Sequence, residues 1–183
     1  MKDFWQYLVV AAVIFFSSVL LGFVIPIELD LSSFAPLGDI ADDLESFSSP
    51  GVFIYILTNN ITAIVFAFIL APFLCIFPLF SLFVNGFVIG VVGALVLEQE
   101  SVLFLMAGFL PHGILEIPAL LIALAASLRF GFNTMKGILR KSWRNTIKPV
   151  FLENAKLLGK AVALLVPAAL IETFITPIFL GLF

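Results

Sequence analysis

Five stretches of this 183-residue chain, 7–27, 52–76, 78–97, 102–128 and 161–183, are almost wholly apolar. A helix needs roughly 20 such residues to cross a hydrocarbon layer about 30 Å thick, because each residue rises about 1.5 Å. Backbone N–H and C=O groups find no water there, so each run folds as a helix whose hydrogen bonds close internally. Composition agrees: 62% of residues are hydrophobic and 11% charged, and mean hydropathy is +1.23. Soluble domains carry about 25% charged residues. A soluble enzyme, a disordered chain and a disulfide-stapled secreted domain are therefore excluded. The net charge of −3 is too balanced for a nucleic-acid partner. The lone Cys75 lies in an apolar run and reads as a small buried residue. The expected fold is one all-α polytopic membrane domain over 1–183, a bundle of five transmembrane helices with the lipid bilayer as its surroundings.

The first run is long for the apolar core of a signal peptide, and no small-residue cleavage site follows it. Trp5 and Tyr7 sit where aromatic side chains favour the membrane interface. Pro72, Pro111, Pro118, Pro167 and Pro177 lie in or beside the runs, so kinked or broken helices are expected where neighbouring protein satisfies the freed carbonyls.

Two segments are polar, and their charges are segregated. The outer interfacial segment 28–50 carries six acidic residues and no Lys or Arg. The segment 129–160 carries eight basic residues and one acid, Glu153. Basic loops stay on the cytoplasmic side. Five spans satisfy that rule at every loop: the N-terminus and segment 129–160 inside, the acidic loop, Glu98/Glu100 and the C-terminus outside. The expected location is the cell membrane. Leu37, Ile40, Leu44 and Phe47 share one helical face, which predicts an outer acidic amphipathic helix. Met135, Leu139, Trp143 and Ile147 follow at i+4 among Lys136, Arg140, Lys141, Arg144 and Lys148. That predicts an inner basic amphipathic helix, started by Asn133 or Thr134 and ended by Pro149. It would anchor on anionic lipid or dock an acidic protein partner. The fifth span begins near Lys160 or nearer Pro149.

Function is sought in the polar groups at membrane depth, since an ionisable residue there costs several kcal/mol and usually faces the bundle interior. These are His112, Glu116 and Glu172, joined by the amides Asn59, Asn60 and Asn85. His112 and Glu116 are four apart and share a helix face, continued by Ala119, Ala123 and Ala126. Small residues on such a face admit a neighbouring helix. Gly86, Gly90 and Ala94 recur every four residues with Gly93 adjacent, a second close-packing face; backbone ion coordination is its lesser reading. That face suits a homodimer as well as contacts within a monomer. No Lys or Arg lies in the fifth span to pair with Glu172. Its roles stay open: a hydrogen bond to an amide, a metal or ion site, or a proton relay. One imidazole and two carboxylates can hold a divalent metal such as zinc.

Enzyme signatures are weak. A single histidine excludes His-Glu-x-x-His, and neither a Gly-x-Ser-x-Gly elbow nor a phosphate-binding glycine loop occurs. Ser81, Ser101 and Ser127 are formal nucleophile candidates without signs of activation. No catalytic residue is expected.

The run Leu110-Pro111-His112-Gly113-Ile114-Leu115-Glu116-Ile117-Pro118-Ala119 resembles the Pro-His-Gly-x-x-Glu-[Leu/Ile]-Pro-Ala signature of the stage II sporulation protein M family. Three further pieces are similar to that family in order: Leu57 to Asn60, Val84 to Gly90 with its Asn85-Gly86, and Leu170 to Pro177 around Glu172. The resemblance covers about residues 7–183. It implies a multi-span protein of the kind found in bacteria and archaea, with Asn59 or Asn60, Asn85, Gly86, Gly90, His112, Glu116 and Glu172 on the family's polar and glycine positions. The sporulation member resembles a scaffold that acts with peptidoglycan-degrading partners. The residues themselves favour an ion or small-solute channel or transporter; a partner-recruiting scaffold is the alternative.

Overall fold

A computed structural model describes residues 3–25, 49–140 and 143–182, with side chains in the third stretch described from Ile147. The acidic segment up to residue 48, including the proposed outer helix, and Lys141 lie outside the described residues. The described chain forms α1 (Phe4–Val24), α2 (Ser49–Ile69), α3 (Ile76–Gln99), α4 (Val102–Leu139), α5 (Trp143–Phe174) and the short α6 (Thr176–Leu180). Five of its helices are long and apolar enough to cross a membrane, the last spanning Ile147–Leu180 across the break into α6. The outward surface is a coat of large apolar side chains, among them Val13, Phe16, Leu20, Phe66, Phe80, Ile114 and Ile178. Such a coat suits lipid and would be an aggregation surface in water.

Close packing inside the bundle is made by small residues. A Cβ on Gly86 would strike the carbonyl oxygen of Phe15, one on Gly90 that of Val19, and one on Gly22 that of Phe87. α1 and α3 therefore touch backbone to backbone, the contact that glycine permits in lipid. A Cβ on Gly93 meets only the Phe23 ring at 4.0 Å, so this glycine is not required by the contact. The glycine face is thus occupied by α1 within the chain, and a second copy has no need of it. On α4, Ala119 and Ala123 are fully buried against Ile64 of α2 and Ala161 and Leu165 of α5. This is the small-residue face that continues from Glu116.

The link between α2 and α3 is tight. Leu74 and Cys75 both take φ of 56°, the left-handed region that β-carbons resist. Gly131 makes room for it: a Cβ there would strike the Ala71 carbonyl oxygen, with Cys75 Sγ 2.7 Å away. The Cys75 thiol points at the Leu128 carbonyl at 3.7 Å, buried as its apolar surroundings suggested.

The basic segment departs from expectation. It is not a separate surface helix. Its residues complete α4 to Leu139 and begin α5 at Trp143. Asn133 and Thr134 lie inside α4 rather than capping anything, Asn133 donating to the Arg129 carbonyl at 2.8 Å. Pro149 lies inside α5. The cause is continuity of burial: every residue from Ala123 to Gly131 is buried, so packing carries the helix past the point where charge begins. With 38 residues, α4 is about 57 Å long at about 1.5 Å per residue. That exceeds a hydrocarbon layer of about 30 Å. The α4–α5 hairpin therefore reaches beyond the lipid core, carrying exposed Lys136, Arg140 and Lys148 at its end.

Candidate functional site

α4 starts where the Ser101 hydroxyl accepts from the Phe104 N–H at 3.2 Å, a side-chain cap on an otherwise orphaned donor. Three turns in, Pro111 and Pro118 bracket His112 and Glu116. The helix holds these two on one face, with His112 Nε2 and Glu116 Oε2 4.0 Å apart. α5 supplies Glu172 two residues before its end at Phe174. One ligand atom from each of His112, Glu116 and Glu172 lies within 4.8 Å of the other two. The break before α6 turns Thr176 inward, where it is buried. Its hydroxyl lies 3.3 Å from the Ile171 carbonyl and 3.5 Å from His112 Nδ1.

These groups open onto a cavity of about 550 Å³ between α3, α4, α5 and α6. Asn85 of α3 lines the opposite wall and donates one turn back, to the Ser81 carbonyl at 2.8 Å and hydroxyl at 3.3 Å. The amide oxygen is the group it has left to offer the cavity. Asn60 of α2 lies beside the Glu116 carboxyl. The remaining walls are mostly apolar, including Val84, Val88, Ile89, Leu105, Phe109 and Leu120, and among the described residues no Lys or Arg lines the space. Two carboxylates this close between mostly apolar walls favour sharing the space with a proton or a cation.

His112, Glu116, Glu172, Asn85 and Asn60 are thus brought together, and Thr176, not singled out from the sequence, joins them. Asn59 is exposed on α2 and takes no part. Thr176 was detectable as the residue one turn beyond Glu172, just before Pro177. Ser127 donates to the Ala123 carbonyl at 2.8 Å, the back-bond of a helical serine.

A second polar cluster joins the same two helices about 20 Å further along α4, by helical rise. Arg129 is only 8% exposed. It donates to Glu153 at 3.1 Å and to the fully buried Asn154 at 3.4 Å. In the sequence Arg129 is one of the eight basic residues of segment 129–160, with nothing local to set it apart by charge. Two signals marked it out: it follows directly on an apolar run, and Glu153 is the single acid in its segment.

A family model described as stage II sporulation protein M matches residues 11–177. An uncharacterized protein of Methanocaldococcus jannaschii is 32% identical over 123 residues, 67% of this chain and 69% of that protein. A second uncharacterized protein of that archaeon is 29% identical over 120 residues, 64% of this chain and about half, 52%, of the longer relative. No solved structure matches.

Proposed function

The chain belongs to the stage II sporulation protein M family, and from the geometry of its cavity we propose that it moves a cation or small cationic solute across the membrane. One observation carries the reading: His112, Glu116 and Glu172 converge on a single cavity that, among the described residues, holds no compensating Lys or Arg. Groups that served packing alone would be expected to leave no space beside them. Here a volume of about 550 Å³ stands beside them, room for many waters at about 30 Å³ each. Asn85 adds a neutral oxygen to the path. The reading gives no residue a catalytic role. Its orientation follows charge, with the basic end of the α4–α5 hairpin and the N-terminus in the cytoplasm.

Purified protein in liposomes tests this by fluorescent-dye assays of proton, sodium and potassium flux. Glu116→Gln and Glu172→Gln should each lower the flux at least tenfold at equal folding. Equal flux in wild type and both variants would reject transport through this cavity.

A second reading is favoured by the length of the hairpin, which carries Lys136, Arg140 and Lys148 past the lipid core. It makes the protein a scaffold that docks an acidic partner there. Equal flux in all variants, together with partner capture abolished by charge reversal at Lys136, Arg140 and Arg144, is the pattern it requires.

A further inference from the structure

We propose that His112, Glu116 and Glu172 form a binding site for a divalent first-row transition metal ion of the zinc type, with Thr176 setting the imidazole. This deepens the transport reading and rests on the same cavity.

Geometry is the first support. In a tetrahedral zinc site with bonds of about 2.0–2.1 Å, neighbouring ligand atoms are about 3.4 Å apart. His112 Nε2 and Glu116 Oε2 are 4.0 Å apart, and all three ligand atoms lie within 4.8 Å of one another. Closing that set takes about an ångström of side-chain movement. The fold already brings the ligands together from two different helices.

The hydrogen-bond pattern is the second. A threonine hydroxyl has one proton to donate. Thr176 has the Ile171 carbonyl at 3.3 Å as acceptor for it, which leaves the hydroxyl oxygen to accept from His112 Nδ1–H at 3.5 Å. The imidazole lone pair then sits on Nε2, the nitrogen that faces Glu116. Metal-binding histidines are held by a partner on the other ring nitrogen in this way.

Charge and ligand type are the third. Two carboxylates neutralise a divalent ion, so the loaded site carries no net charge into a cavity of mostly apolar walls where the described residues offer no Lys or Arg. An imidazole ligand favours zinc, iron or cobalt over calcium and magnesium, which take oxygen. Three protein ligands leave a coordination position open to the cavity, as a site that must release its ion requires.

The test is calorimetric titration of Zn²⁺ alone into the full chain in lipid nanodiscs. One zinc per chain is expected, with affinity at least tenfold lower in His112→Gln and in Glu172→Gln. Affinity should be unchanged in Glu98→Gln, an exposed carboxylate elsewhere. Thr176→Val should weaken binding tenfold or more. Co²⁺ should give visible absorption bands that His112→Gln abolishes. Zinc should raise the melting temperature of the wild type and not of either ligand variant, which separates lost binding from lost folding. Absence of saturable binding by the wild type overturns the metal site, as does equal binding by His112→Gln and Glu172→Gln. Carboxylate-dependent proton or sodium flux with no zinc binding overturns the metal site and leaves transport standing. Zinc binding as expected with no flux of zinc, proton, sodium or potassium into liposomes supports the metal site and overturns transport.

Discussion

Arg129 Nη2 of α4 lies 3.1 Å from Glu153 Oε2 of α5, with the arginine buried and the carboxylate partly open to the outside. The pair closes the end of the α4–α5 interface opposite the His112 cavity. Asn154 accepts a second hydrogen bond from the guanidinium at 3.4 Å while donating to the Val150 carbonyl at 2.7 Å. Among the described residues the guanidinium Nε has no hydrogen-bond partner, so the arginine is held by its two Nη groups.

Replacing Arg129 with Met should destabilise the protein by about 2 kcal/mol, because buried Asn154 loses the donor to its oxygen and Glu153 loses the guanidinium beside it. Glu153→Gln should cost less, about 1 kcal/mol or below, since glutamine can still accept from Arg129 and the site is partly solvated. Thermal unfolding in detergent measures both. A larger loss in Glu153→Gln than in Arg129→Met would contradict the asymmetry of burial.

The glycines separate into those that bear a contact and those that do not. Gly86→Ala and Gly90→Ala should each cost about 1–3 kcal/mol, the usual penalty for overfilling a packed interior. Each places a methyl group against a carbonyl oxygen of α1. Gly159 has nothing within 4 Å of an added Cβ. Gly159→Ala should therefore stabilise α5 by about 0.5–1 kcal/mol, the gain of alanine over glycine in a helix. Melting temperatures of the three variants give the comparison, and similar losses in all three would show that α1 and α3 are not in contact.

Orientation follows from the basic end of the hairpin. The orientation proposed from charge puts the N-terminus inside, and five spans among the described residues then put the termini on opposite sides. A C-terminal alkaline phosphatase fusion should be active outside the cytoplasm, and a C-terminal green fluorescent fusion should be dark. A bright fluorescent fusion with inactive phosphatase would reverse the assignment.

The membrane fold was legible because apolar runs of roughly 20 residues have one stable outcome in lipid. The positions of His112, Glu116 and Glu172 as a candidate set were legible for the same reason: few polar groups can be afforded at that depth. The end of α4 was not. Charge density from Arg129 onward suggested a surface helix, whereas contacts from Phe68, Phe130 and Phe151 keep that region packed, with Phe68 and Phe130 stacked at 4.9 Å. Local charge and periodicity do not report which partner a residue will meet, and Arg129 meets Glu153 across 24 positions of chain. Asn59 and Asn60 show the same limit. They are neighbours in sequence, but a helix turns them about 100° apart, and only Asn60 reaches Glu116.

The central claim is that α4 and α5 bring His112, Glu116 and Glu172 into one cavity. Cross-linking tests it directly, using Glu116→Cys with Glu172→Cys in membranes and a short bifunctional methanethiosulfonate reagent, read by intact mass. The native Cys75 is buried, and single variants report any reaction there. The account predicts an intramolecular bridge in the Glu116/Glu172 pair and none between Ile114→Cys and Glu172→Cys, because Ile114 lies on the outward face of α4. No bridge in the first pair with both thiols reactive, or equal bridging in the two pairs, would contradict it.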